Sequence, residues 1–600
     1  MKTSFIRFLV LCPLMMAPSL SLAQGDSTWA TDFERSGGRK TPRYDETLAY
    51  CRRLEGASRW IRVTSFGTSP RGRKLPLVIL SRERAFDPAS ASRTGKAVIL
   101  IQSGIHAGEI DGKDASLMLM RDIAVTKSLA RLLDSTILLF VPIFNVDGHE
   151  RFGPFNRINQ DGPEEMGWRT TAQNLNLNRD YMKAEAPEMR AMLRLFSAWL
   201  PDLYVDCHVT DGIDFQYDIT YAVEPAPYLD TGVSAWMEGR LLPLALPLVE
   251  KSGHRIFNYV FPREDNDLSK GLNTGASTPR FSTGFAALQN RPAVLIETHM
   301  LKPYNVRVDA TYHFLLSMIE AVNRDPSSLR GAVREADRAV IAAGTVFNPG
   351  KMFPLAFGIG RRSEPRLFLG KKQRTGTSAL TGNRVVRYTP DTVSLVVPYF
   401  SEITVTDSVT VPLAYIIPPE WTFVPEKLRD HGVRMERLRK SATLEVESWR
   451  FTDVRFRERP FEGRHMVTFG VIPTREAREF PAGSVVVRTS QRSGKVIVNL
   501  LEPEGPDSFV AWGFFDPVFE QKEYAEAYVM EDAGEKLLAG DAALRKEYDG
   551  KVAADSAFAR NPGARLNWLY QHSPWGDPWL NVYPVGRITS PVTLDTELLR

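Results

Sequence analysis

Four short apolar runs constrain the fold of this chain more than any other feature: Val98-Ile-Leu-Ile101, Thr136–Val141, residues 202–208 and residues 292–298. Each is strand-length, and each reads as a strand buried on both faces. Between and after them the spacing changes. Residues 113–133 carry Leu117, Met120, Ile123, Leu129, Leu132 and Leu133 at helical intervals, and residues 186–200, 234–252 and 306–324 also read as helices. Ahead of them, residues 60–80 form a hairpin pattern, with Gly67-Thr-Ser-Pro-Arg-Gly72 as its turn. Strands alternating with helices predict an α/β fold with a mixed, mostly parallel sheet flanked by helices.

In such sheets ligands bind just beyond the strand ends. His106 and Glu109 follow the first run three positions apart, and this is the one His-x-x-Glu among nine histidines. The third run ends on His208, and the fourth carries Glu297 near its end. Catalytic zinc takes three protein ligands and keeps one open position. Two imidazoles and a carboxylate, His106, Glu109 and His208, meet that need, so one zinc ion per chain is expected. Glu297 reads either as the carboxylate that accepts and passes on a proton or as a salt-bridged acid at a strand end. Between the ligands lie Trp168-Arg169 and Asn174-Leu-Asn-Leu-Asn178-Arg179-Asp180. A guanidinium binds carboxylates in two-pronged fashion and steadies an oxyanion, although either arginine alone also reads as a surface residue.

Taken in order, His106-x-x-Glu109, Asn145-x-Asp147-Gly148, Trp168-Arg169, Asn178-Arg179, His208 and Glu297 resemble the M14 zinc carboxypeptidases over roughly residues 45–325. The resemblance implies an eight-stranded mixed sheet, zinc on His106, Glu109 and His208, and Glu297 as general base. It further implies that Arg169 polarises the scissile carbonyl, while Asn178 and Arg179 grip the terminal carboxylate of a peptide. The sequence departs from the family pattern twice. Asn176 stands where many members have an aspartate bonded to a ligand histidine, which leaves either Asp206 as a substitute or a weaker site. No tyrosine lies between Asn273 and Glu297, so Tyr217, Tyr221, Tyr259 or none closes over substrate. A specificity pocket is expected near residues 275–285.

A chain of 600 residues exceeds one core. The boundaries expected are a signal peptide at 1–23, an N-terminal segment at 24–44, the catalytic unit at 45–325 and a linker helix at 326–344. A β-rich accessory domain at 345–440 and an α+β region at 441–600 follow. The C-terminal half resembles the accessory region of exported bacterial M14-like proteins.

Lys2 and Arg7, an apolar run too short to span a bilayer, and Ser21-Leu-Ala23 make the export signal. The mature chain is expected in the periplasm or outside the cell, without a membrane segment. Net charge is +4 with both signs interspersed, so nucleic acid is not an expected partner. Cys51 and Cys207 remain after cleavage, too few for a disulfide framework, and both read as small core residues.

The activity expected is hydrolysis of the C-terminal peptide bond of peptides bearing a free carboxylate. Two alternatives share the pattern: a zinc deacylase acting on N-acyl amino acids, and a binding protein on the same scaffold.

Overall fold

The structure is a computed structural model that describes residues 27–264, 267–590 and 599. The expected signal peptide, residues 1–23, lies outside the described residues. Eight strands build the central sheet: β1 (Ile61–Thr68), β2 (Lys74–Leu80), β3 (Ala97–Ser103), β4 (Thr136–Val141), β5 (Leu203–Val209), β6 (Ile219–Val223), β7 (Ile256–Asn258) and β8 (Ala293–Thr298). Their order is β1-β2-β4-β3-β5-β8-β6-β7. The four middle strands run parallel, the hairpin β1–β2 closes one side, and β6 meets β8 antiparallel. Every residue of β3, β4 and β5 is buried, as continuous apolar runs require when helices cover both faces. The mixed sheet expected from the sequence is therefore present, with helix Asp111–Ala124 packed against helix Tyr304–Arg324 on one side.

Two expected helices are shorter than their apolar spacing suggests. The first stops at Ala124, and Leu132 and Leu133 lie in a separate turn, Ala130–Leu133. Ser128 and Thr126 hydroxyls donate to the Asp122 carbonyl at 3.2 and 3.4 Å, satisfying a terminal acceptor that another helical turn would have used. The second, where the sequence over residues 424–438 reads as one helix, covers only Phe423–Asp430. Gly432 adopts φ 75°, its N–H bonds the Arg429 carbonyl, and the Val433 N–H bonds that of Leu428. That paired pattern ends a helix and needs a residue at ease with positive φ.

Beyond helix Pro326–Ala343 the chain is rich in strands. Strands Met352–Ile359 and Ile403–Thr410 form a pair. The long hairpin Glu364–Thr377/Arg384–Phe400 adds Leu272–Asn273 from the α/β unit as a parallel neighbour, so the two regions share a sheet. A six-stranded sheet joins Ala414–Ile417 to Val485–Arg488 and Gly586–Ile588, bringing together chain from both sides of residue 440. Helices Ala527–Gly540, Ala542–Ala554 and Pro562–Gln571 pack around Tyr548, Phe558 and Trp568. Cys51 and Cys207 are buried and unbonded. Among the described residues no helix is long and apolar enough to cross a membrane.

Candidate metal-dependent active site

The parallel strands β3, β5 and β8 deliver the first groups. Beyond Ser103, at the end of β3, the chain bends into the loop that carries His106 and Glu109. His208 stands near the end of β5, and Glu297 is its register partner on β8. His106 Nδ1 lies 3.1 Å from Glu109 Oε2, and His208 Nδ1 lies 3.0 Å from the same oxygen. Ligand atoms of these three residues fall within 4.8 Å of one another.

The outer ring nitrogens are already engaged. His106 Nε2 lies 3.1 Å from Asn176 Oδ1, and His208 Nε2 lies 2.9 Å from Asp206 Oδ2. A proton fixed on each Nε2 by these acceptors leaves each Nδ1 lone pair facing the Glu109 carboxylate. Lone pairs and a carboxylate converging in a buried space suit a divalent cation, and the donor set of two imidazoles and one carboxylate fits zinc.

Electrostatics point the same way for His106 and Glu109, whereas His208 is held toward its charged form. Burial lowers the His106 pKa to about 4, Glu109 opposing, which keeps it neutral and ready to ligate. Burial also disfavours a charged His208, but Asp206 and Glu109 outweigh it and hold its pKa well above the ordinary value. Burial would raise Glu109, yet His106 and Arg157 outweigh it and keep the carboxyl well below its usual range. Glu297 is pushed up to about 8, chiefly by burial, with Glu109 and Asp211 adding and His208 opposing. Its buried Oε2 atom has no hydrogen-bond partner.

The structure brings all seven sequence-derived candidates, His106, Glu109, Arg169, Asn178, Arg179, His208 and Glu297, to one cavity of about 560 Å³. Arg169 Nη1 reaches Glu109 Oε1 at 3.2 Å. Asn178 accepts from the Ser282 N–H at 3.2 Å and lies 3.4 Å from His208 Nε2. Arg179 donates to the Asn178 carbonyl at 2.6 Å and stacks on Phe281, its guanidinium carbon 4.2 Å from the ring centre. Of the three tyrosines left open by the sequence, Tyr259 lines the cavity. Tyr217 instead accepts from the Leu369 N–H of the accessory hairpin, its hydroxyl oxygen 3.0 Å from that nitrogen. Tyr221 is buried in β6.

The far wall is made of small and apolar groups: Ala222, Gly275, Ala276, Phe281 and Leu295, together with Ile359 from the strand-rich region. A Cβ added at Gly275 would lie 3.3 Å from Ile359 Cγ1, so the two regions meet closely there. Sequence reasoning missed Ile359 and also Arg157, whose Nη2 lies 2.8 Å from Glu109 Oε1. Arg157 sits in an irregular loop with no periodic signal.

Comparison with known proteins bears on this arrangement. Residues 47–231 match the family model for zinc carboxypeptidase, Peptidase_M14. Carboxypeptidase 2 of Trichophyton tonsurans is 26% identical over 505 residues, covering 82% of this chain and 87% of that protein. Carboxypeptidase 2 of Trichophyton rubrum is 26% identical over 511 residues, with the same coverage of both chains. The match extends well past the α/β unit. Among solved structures, the metallo-carboxypeptidase from Pseudomonas aeruginosa in complex with (2-guanidinoethylmercapto)succinic acid aligns with a TM-score of 0.36 at 17% identity, over 48% of this chain and 70% of that one.

Proposed function

The chain belongs to the M14 zinc carboxypeptidase family, and on that premise we propose that it removes the last residue of peptides that carry a free C-terminal carboxylate. The observation that carries this reading is the convergence on one cavity of the clustered His106, Glu109 and His208 with Glu297, Arg169 and Arg179. One zinc ion per chain on His106, Glu109 and His208 would supply Lewis-acid chemistry, polarising a carbonyl and acidifying water.

The residues of the chain do the rest. Glu297 accepts the proton of the attacking water and hands it to the departing amine; a buried carboxyl with a raised pKa suits both halves of that task. Arg169 pairs with the oxyanion that develops on the scissile carbonyl. Arg179, immobilised on Phe281, pairs with the terminal carboxylate beside the Asn178 amide. Holding that carboxylate sets which bond faces Glu297, and so makes the enzyme an exopeptidase. Ala222, Leu295 and Ile359 make part of the cavity wall apolar, which favours an uncharged last side chain, while Asp211 lines the same cavity. The catalytic unit at 45–325 and export directed by residues 1–23 belong to this same reading.

The test is a time course on unblocked peptides followed by mass spectrometry. Single residues leaving from the C-terminus, stopped by a chelator and restored by zinc, are expected. Cuts confined to internal bonds, or indifference to the chelator, would overturn the assignment.

A further inference from the structure

We propose that Glu462, in the C-terminal region, is a positioning residue for the substrate-gripping turn of the catalytic unit. The inference rests on the carboxypeptidase reading for its substrate but on geometry for its residue. Phe461 and Arg464 bridge each other antiparallel, with N–H to carbonyl distances of 2.8 and 3.1 Å. The two residues between them, Glu462 and Gly463, both have positive φ, 50° and 82°. That is the two-residue hairpin turn with both central residues left-handed, a position that favours Asn, Asp or Gly first and Gly second. Gly463 meets the preference; Glu462 does not. Backbone strain held at one residue points to a role for its side chain.

The side chain has one. Glu462 Oε2 accepts from the Asn176 backbone N–H at 2.9 Å, across 286 residues of sequence. Asn176 in turn presents its Oδ1 to His106 Nε2 at 3.1 Å and accepts from the Asn178 N–H at 3.0 Å. One carboxylate thus pins the peptide unit from which a ligand histidine is oriented and the Leu177–Arg179 turn begins.

The turn bearing Glu462 is itself anchored. Phe461 stacks on Trp512, ring planes 9° apart, and Arg464 pairs with Glu185 at 2.6 Å just past the gripping pair. On the other side Arg280, next to the Phe281 on which Arg179 lies, pairs with Asp507 at 2.6 Å. The C-terminal region therefore holds both flanks of Arg179, and the catalytic unit depends on it for geometry rather than for chemistry.

Three substitutions in the full chain separate positioning from simple stability. Glu462→Gly removes the strain and the acceptor together. Glu462→Gln keeps an acceptor oxygen, and Glu462→Ala keeps the strain. For Glu462→Gly we expect an unchanged or raised Tm, a KM for a free-acid peptide raised about 5- to 10-fold, a smaller change in kcat, and zinc held several-fold more weakly. Glu462→Gln should restore KM and zinc affinity to within about twofold. The proposal is overturned if Glu462→Gly binds peptide and zinc like the parent protein, or if the three variants lose activity only in step with Tm. Zinc affinity, read by chelator competition, decides the matter even if no peptide is cleaved, so failure of the carboxypeptidase reading and failure of this inference are told apart.

Discussion

Glu297 lies directly across from His208 on the neighbouring parallel strand, so the proposed base and a proposed metal ligand are fixed by one backbone register. A strand ladder is among the stiffest supports a protein has, and it holds the two groups without help from a loop. Replacing Glu297 by Gln should leave the fold and the metal in place, because no hydrogen bond to Oε2 is lost. The amide cannot accept a proton, so kcat should fall by about 10²–10⁴-fold. Metal analysis and steady-state kinetics on one preparation check this; a near-normal kcat removes Glu297 from the reaction.

The two proposed ligand histidines are backed unequally, His208 by the carboxylate of Asp206 and His106 by the neutral amide of Asn176. A carboxylate raises imidazole basicity more than an amide does. Asp206→Asn should therefore weaken zinc binding by roughly 10- to 100-fold, and Asn176→Asp should strengthen it. Competition with a chromophoric chelator measures both. Equal affinity for the parent and Asp206→Asn would mean that Asp206 does not tune the site.

Ile359 brings the strand-rich region into the cavity wall opposite Gly275. A charge placed there meets a partly desolvated side chain, where electrostatic preference is strong. Ile359→Asp should shift the ratio of kcat/KM for C-terminal Lys or Arg over C-terminal Leu or Phe by roughly tenfold or more toward the basic residues. An unchanged profile across such a peptide set would place Ile359 outside the substrate contact.

Away from the site, His254 sits between Asp309 at 2.9 Å and Asp218 at 3.4 Å, with Lys302 on Asp218 and His313 near Asp309. Burial opposes its charge, but the two carboxylates outweigh burial and raise its pKa to about 9. A raised pKa stabilises the fold fully below the unfolded value near 6.5, and the contribution is lost as pH rises through about 9. Allowing for solvent screening, it is worth about 1–2 kcal/mol. His254→Gln should lower Tm at pH 6 and leave it nearly unchanged at pH 10. A loss of equal size at both values would assign the effect to packing instead of charge.

Much of this was legible in the sequence because apolar runs encode strands and strand ends encode ligands. His106, Glu109, His208 and Glu297 could be read together for that reason, and Asn176 and Asp206 drew notice only through the resemblance to the M14 family. What stayed hidden depends on contacts that no local pattern carries. Arg157 comes from an irregular loop, Ile359 from a strand in another sheet, and Glu462 from a turn 286 residues beyond its partner. Tyr259 is set apart from Tyr217 and Tyr221 only by tertiary position: its N–H bonds the Tyr221 carbonyl at 2.7 Å at the end of the sheet. Helix ends at Ala124 and Asp430 were missed because side-chain and glycine caps stop a helix before its apolar spacing runs out.

The central claim is that Arg179 holds a free terminal carboxylate, and kcat/KM on matched free-acid and C-terminally amidated peptides tests it most directly. A charge-assisted hydrogen bond of this kind contributes about 1.5–3 kcal/mol, so the amide should be cleaved at least an order of magnitude less efficiently. Arg179→Ala should lose a similar amount on the free acid and little more on the amide, since both changes delete one interaction. Equal cleavage of acid and amide by the parent protein, or additive losses in the variant, would contradict the account.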